Sequence, residues 1–90
     1  MYRLTANNEE EEIEKLSEEE ILEQVYASLK VKGYNPVFQL VGYIFSGDPT
    51  YVTAYQGART LITKADREAL LEEIITDYVK HRWKTVGGDN

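Results

Sequence analysis

The sequence predicts an all-α protein, a small homodimeric bundle of four to five helices behind a disordered acidic N-terminal tail. Three observations lead there. Apolar residues recur at helical spacing in two long stretches, Ile21-Val25-Leu29 and Leu70-Ile74-Tyr78. Side chains that cap helices (Ser17, Asn35, Asp48, Asp66) precede the candidate elements, and Gly33 and Gly47 follow two of them. Finally, 90 residues without cysteine make one domain, with no disulfide framework and no thiolate chemistry. A chain this short buries only about 60–65% of its unfolded surface, so pairing with a second copy would help it.

The first helix begins at Ser17. Ser17 as N-cap and Glu20 three residues later form a capping box. Ile21, Val25 and Leu29 then make one stripe, with Leu22 and Tyr26 beside it, and Gly33 is a natural left-handed stop. Asn35-Pro36 restarts the chain, Asn as cap and Pro at the first helical position. The 36–46 segment is apolar nearly all round: Val37, Phe38, Leu40, Val41, Tyr43, Ile44 and Phe45. A helix apolar on every side needs cover on every side. Ninety residues offer little, so Val37, Phe38, Val41, Ile44 and Phe45 are the candidate dimer interface.

Ser46-Gly47-Asp48-Pro49 repeats the stop, cap and start signals and predicts a short helical turn through Tyr51. Residues 54–63 read as one further short helix with Ala58, Leu61 and Ile62 inward, although Gly57 weakens it by about 1 kcal/mol. Asp66 caps the longest helix, about 67–83. One of its rows is Leu70-Ile74-Tyr78 and another Leu71-Ile75-Val79, with Glu72 and Glu73 toward the opposite face. Acid early (Glu68) and base late (Lys80, Arg82, Lys84) suit the helix dipole. The predicted organisation is a tail over 1–16, a helical domain over 17–85 and a loose C-terminus over 86–90.

The net charge of −6 is concentrated. Residues 9–23 hold nine Glu against one Lys, and the rest of the chain carries nine basic and seven acidic residues. The acidic front repels phosphate backbones, whose binding depends on Lys and Arg. It reads as a solvated interaction tail, and Glu9–Glu12 lack the alternation and turn glycine of a calcium loop. No apolar run reaches the roughly 18–20 residues that span a bilayer. The N-terminus has the wrong order for a secretory signal. The expected setting is the cytoplasm, with no membrane insertion.

No constellation points to catalysis. His81 is the sole histidine, near a helix C-terminus, with no nucleophile motif to serve. Glu72-Glu73 lacks the histidine partners of a metal site, and no glycine-rich phosphate loop occurs. No cofactor, metal or catalytic residue is therefore expected. Residues 54–82 also fit a helix-turn-helix-like nucleic-acid module, with Arg59, Lys64 and Arg67 near the turn. Glu68, Glu72 and Glu73 along the second helix oppose insertion into a groove, so nucleic acid is not an expected partner. Thr5 is the only serine or threonine before Ser17. A phosphate on it would add about −1.5 to −2 charge beside Glu9–Glu12.

Several motifs fall at distinctive spacing. They are Val25-Tyr26-Ala27-Ser28-Leu29, Gly33-Tyr34-Asn35-Pro36, Gln39-Leu40-Val41-Gly42-Tyr43 and Ser46-Gly47-Asp48-Pro49-Thr50-Tyr51-Val52. Ala58-Arg59, Leu61-Ile62, Lys64, Arg67 and the Leu-Leu-Glu-Glu-Ile-Ile run at 70–75 continue the pattern. Over about residues 20–82 the chain resembles the IreB family of small regulatory proteins of Gram-positive bacteria. The resemblance implies a helical homodimer in the cytoplasm with no catalysis of its own. It also implies a substrate of transmembrane Ser/Thr kinases bearing extracellular PASTA modules. The implied role is negative regulation of cell-envelope stress responses, including cephalosporin resistance, through a further protein partner. Phosphoacceptors in the family are tail threonines, and Thr5 is the matching residue type here. Phe38 replaces a polar residue expected at its place and enlarges the apolar surface of the second helix.

Overall fold

The structure is a computed structural model and describes residues 16–83. Four α-helices run in order: α1 (Glu18–Val31), α2 (Pro36–Ser46), α3 (Ala58–Ile62) and α4 (Arg67–Arg82). Two 3-10 turns, Pro49–Tyr51 and Tyr55–Gly57, lie between α2 and α3. Among the described residues there is no strand, so the fold is all-helical as the sequence predicts. The expected tail with Thr5, and the expected loose segment 86–90, lie outside the described residues. Leu16, the last residue assigned to that tail, is half-buried against the core.

α1 is the central element. Its capping box is formed in both directions: the Glu20 N–H donates to Ser17 Oγ (3.1 Å) and the Ser17 N–H to Glu20 Oε1 (3.0 Å). Such a cap contributes about 1 kcal/mol. Ile21, Val25, Ser28 and Leu29 are buried, and α1 packs against each of the other three helices. The core gathers Ile21, Val25, Leu29, Tyr43, Val52, Ala58, Leu61, Ile62 and Leu70. Ala58, Leu61 and Ile62 thus face inward as the sequence predicts.

The 54–63 segment departs from the single helix expected. Gln56 has φ +53° and Gly57 φ +73°, so the chain turns sharply before α3 starts at Ala58. Two consecutive left-handed residues cannot belong to a right-handed helix. Gly57 therefore marks a break, where the sequence suggested only a weakening. Arg59 braces the turn, its Nε donating to the Val52 carbonyl at 2.7 Å.

α4 is capped by Asp66, whose carboxylate accepts from the Ala69 N–H at 3.2 Å. Only Leu70 of its two apolar rows is buried. Leu71, Ile74, Ile75 and Tyr78 lie at the surface. The end of the helix packs on itself: the Tyr78 and Trp83 rings meet edge to face at 5.8 Å, and the Arg82 guanidinium stands 5.2 Å from the Tyr78 centroid.

Candidate interaction surface

The features that hold α2 also fix which of its sides faces out. Asn35 Oδ1 accepts from the Phe38 N–H (3.1 Å), and Pro36 fills the first helical position. At the other end Gly47 takes φ +80°, and its N–H donates to the Tyr43 carbonyl at 2.7 Å. Arg67 reaches over from α4, and its Nη1 donates to the Ile44 carbonyl at 2.9 Å. This serves one of the carbonyls a helix end leaves unpaired. Gln39 Nε2 donates to the Tyr51 carbonyl at 2.7 Å. The Tyr51 ring lies over Gly42, where any Cβ would come within 3.0 Å of three ring carbons. Gly42 is the bare spot that lets the Pro49–Tyr51 turn pack flat.

Held in this way, α2 has an inner and an outer arc. Pro36 and Tyr43 are buried, and Leu40 and Ile44 are half-buried against the core. Val37 (63%), Phe38 (65%), Val41 (60%) and Phe45 (89%) stand exposed on the outer arc. Of the five interface candidates, four share this bare arc, and Ile44 sits on its inner flank. Among the described residues the structure adds an apolar strip absent from that set. Ile44 shares a recess with Leu71, and Leu40 shares a groove with Ile74, so half-buried side chains join the α2 face to the exposed row of α4. The signal was present in the Leu71-Ile75 spacing, but periodicity does not say which apolar rows a chain covers by itself.

The Pro49–Tyr51 turn is set by Asp48. Its Oδ1 accepts from Thr50 Oγ1 (2.7 Å) and the Thr50 N–H (3.0 Å). The Thr50 hydroxyl bond, then the backbone bond, hold the Asp48 carboxyl below the usual aspartate range, with a smaller contribution from Arg59. His81 lies exposed on α4. Its Nδ1 is 2.9 Å from the Asp77 carbonyl and 3.3 Å from Asp77 Oδ1. Two of the three basic residues considered for nucleic acid, Arg59 and Arg67, are bonded to backbone carbonyls of their own chain. Nothing in the arrangement supports that alternative. Among the described residues no group of three or more His, Asp or Glu is placed to hold a metal ion, and no helix is long and apolar enough to cross a membrane.

The fold and this surface define a small all-helical domain that keeps one apolar helix face bare. The family model of IreB regulatory phosphoproteins matches residues 3–80, most of the chain. The protein belongs to the IreB family, a family of regulatory phosphoproteins.

Proposed function

We propose that this protein is a non-enzymatic regulator of the cytoplasm, a homodimer that acts by binding another protein. In this reading it is the substrate of a transmembrane Ser/Thr kinase, restrains the cell-envelope stress response and lowers cephalosporin resistance. Thr5 is the phosphoacceptor. Its phosphate adds about −1.5 to −2 charge to a segment already rich in Glu, so phosphorylation tunes binding through charge. Family membership supports the regulatory and phosphoprotein parts of the reading.

The observation that carries the binding part is the bare outer arc of α2. Burying Val37, Phe38, Val41 and Phe45 would contribute at most about 1.5–3 kcal/mol each. Association costs roughly 4–15 kcal/mol of lost translational and rotational freedom. The α2 arc alone barely meets that cost. A stable pair therefore recruits the adjoining Leu71 and Ile75, which are 43% and 53% exposed.

Two measurements test the reading. Sedimentation equilibrium of the full chain at low micromolar concentration is expected to show a dimer, and V41D with F45S a folded monomer. A wild-type monomer would overturn the dimer. Incubation with ATP and the kinase domain of a PASTA-bearing Ser/Thr kinase is expected to phosphorylate Thr5, with the label lost in T5A. Label retained in T5A would reject Thr5 as the acceptor, and no label on the wild type would reject the kinase link.

A further inference from the structure

On the flank of α4 that faces α1, a groove of about 430 Å³ opens to solvent. Its apolar floor is Leu22 from α1, Leu40 from α2 and Ile74 from α4, with Tyr26 as a wall. Leu22 and Leu40 are half-buried, while Tyr26 and Ile74 are 44% and 40% exposed. Around this floor stand four carboxylates, Glu19 and Glu23 on α1 and Glu73 and Asp77 on α4, and among the described residues no basic side chain lines the groove.

We propose that this groove binds a protein segment in which an apolar side chain is flanked by Arg or Lys. The proposal rests on the reading of the protein as a binding regulator and names the chemistry of the segment bound. The floor takes the apolar anchor, and carboxylates on both sides take the cations. The carboxylates line two opposite helices and do not converge into a metal-holding cluster, so they suit several spaced cations and not one ion. Beside an apolar floor each charge pair is less screened than on open surface, which gives the rim its selectivity. Glu73 is itself half-buried. The chain's own leader, with Glu9–Glu12 and Glu14, carries the wrong sign to fill the groove.

The test uses the full chain and a short amphipathic peptide with a leucine stripe flanked by arginines, beside the same peptide with glutamates in their place. In NMR titrations the arginine peptide is expected to shift Leu22, Tyr26 and Ile74, to bind less tightly as salt rises and to lose about tenfold in affinity against E23Q/E73Q. I74S is expected to weaken it as well, with the dimer intact by sedimentation. The glutamate peptide is expected not to bind. Absence of binding by the arginine peptide near ~1 mM would overturn the proposal. Equal binding of both peptides, or shifts confined to Val37–Phe45, would do the same. Dissociation of the dimer by E23Q/E73Q would show that a second copy fills the groove, and would also overturn it. Phosphorylation of Thr5 is measured separately, so failure here leaves the regulatory reading standing.

Discussion

α1 and α4 are built to the same plan and meet different fates. They have 14 and 16 residues, begin at side-chain caps and run from acid to base. Each carries apolar residues at i, i+4 spacing. α1 buries its stripe from Ile21 to Leu29, because the other helices close around it. α4 buries Leu70 and then leaves Ile74, Ile75 and Tyr78 at the surface. Helical periodicity states that a face is apolar; the number of elements packed around it decides whether the chain itself supplies the cover. A domain of this size has one such central position, and α1 holds it.

The largest expected effect tests that contrast directly. L29A removes a fully buried side chain and should cost about 2–5 kcal/mol in urea denaturation, enough to unfold much of so small a domain. I75A removes a side chain that is half exposed and should cost under about 0.5 kcal/mol at concentrations where the protein is monomeric. An equal cost in I75A would mean that the α4 row is covered even in the single chain.

A smaller effect is expected where the end of α2 meets the start of α4. Gly47 has φ +80°, and a Cβ there would press within 3.0 Å of the Arg67 guanidinium carbon. G47A should cost about 1–3 kcal/mol through backbone strain and through displacement of Arg67 from the Ile44 carbonyl. Hydrogen exchange should then rise in α4 more than in α1, since Arg67 belongs to α4 and α1 keeps its core. Uniform loss of protection would show that α4 does not open by itself.

Much of this was legible in the residues. Ser17, Asn35, Asp48 and Asp66 mark four element starts because their short side chains bond the backbone locally, within three residues. The bare α2 arc was legible as an excess of apolar residues over available cover. The break at Gln56 was not, because left-handed backbone is uncommon outside glycine, asparagine and aspartate, and a glutamine carries no local signal for it. The bond from Arg67 to Ile44 spans 23 positions, and no local pattern encodes it. The acidic-rimmed groove was hidden for the same reason: its carboxylates are spread over two helices that only the fold brings together.

Caps offer a finer comparison of the two long helices. S17A and D66A should each cost about 1 kcal/mol. In α1 the loss should register in global stability, since its first turn leads into Ile21 and the core. In α4, with little core beyond Leu70, D66A should appear mainly as faster exchange in the helix itself. Identical exchange patterns for the two variants would erase the distinction.

The smallest effect belongs to Asp48, which seats the turn that packs Tyr51 on α2. Bonds from the Thr50 hydroxyl and N–H favour its ionised form and lower its folded pKa. A group depressed in the folded state contributes stability above its unfolded pKa and loses that contribution as pH falls through the folded one. Between about pH 5 and pH 3 the wild type should therefore lose slightly more stability than D48N, whose amide oxygen still accepts from Thr50 without titrating. The slope of the wild type alone is uninformative, because the chain holds sixteen acidic residues. The difference between the two proteins isolates one carboxylate, and the Thr50 amide resonance should follow it. Because Asp48 is fully exposed, water screens the effect, and a large difference would place this turn under cover, as a second chain seated against α2 would do.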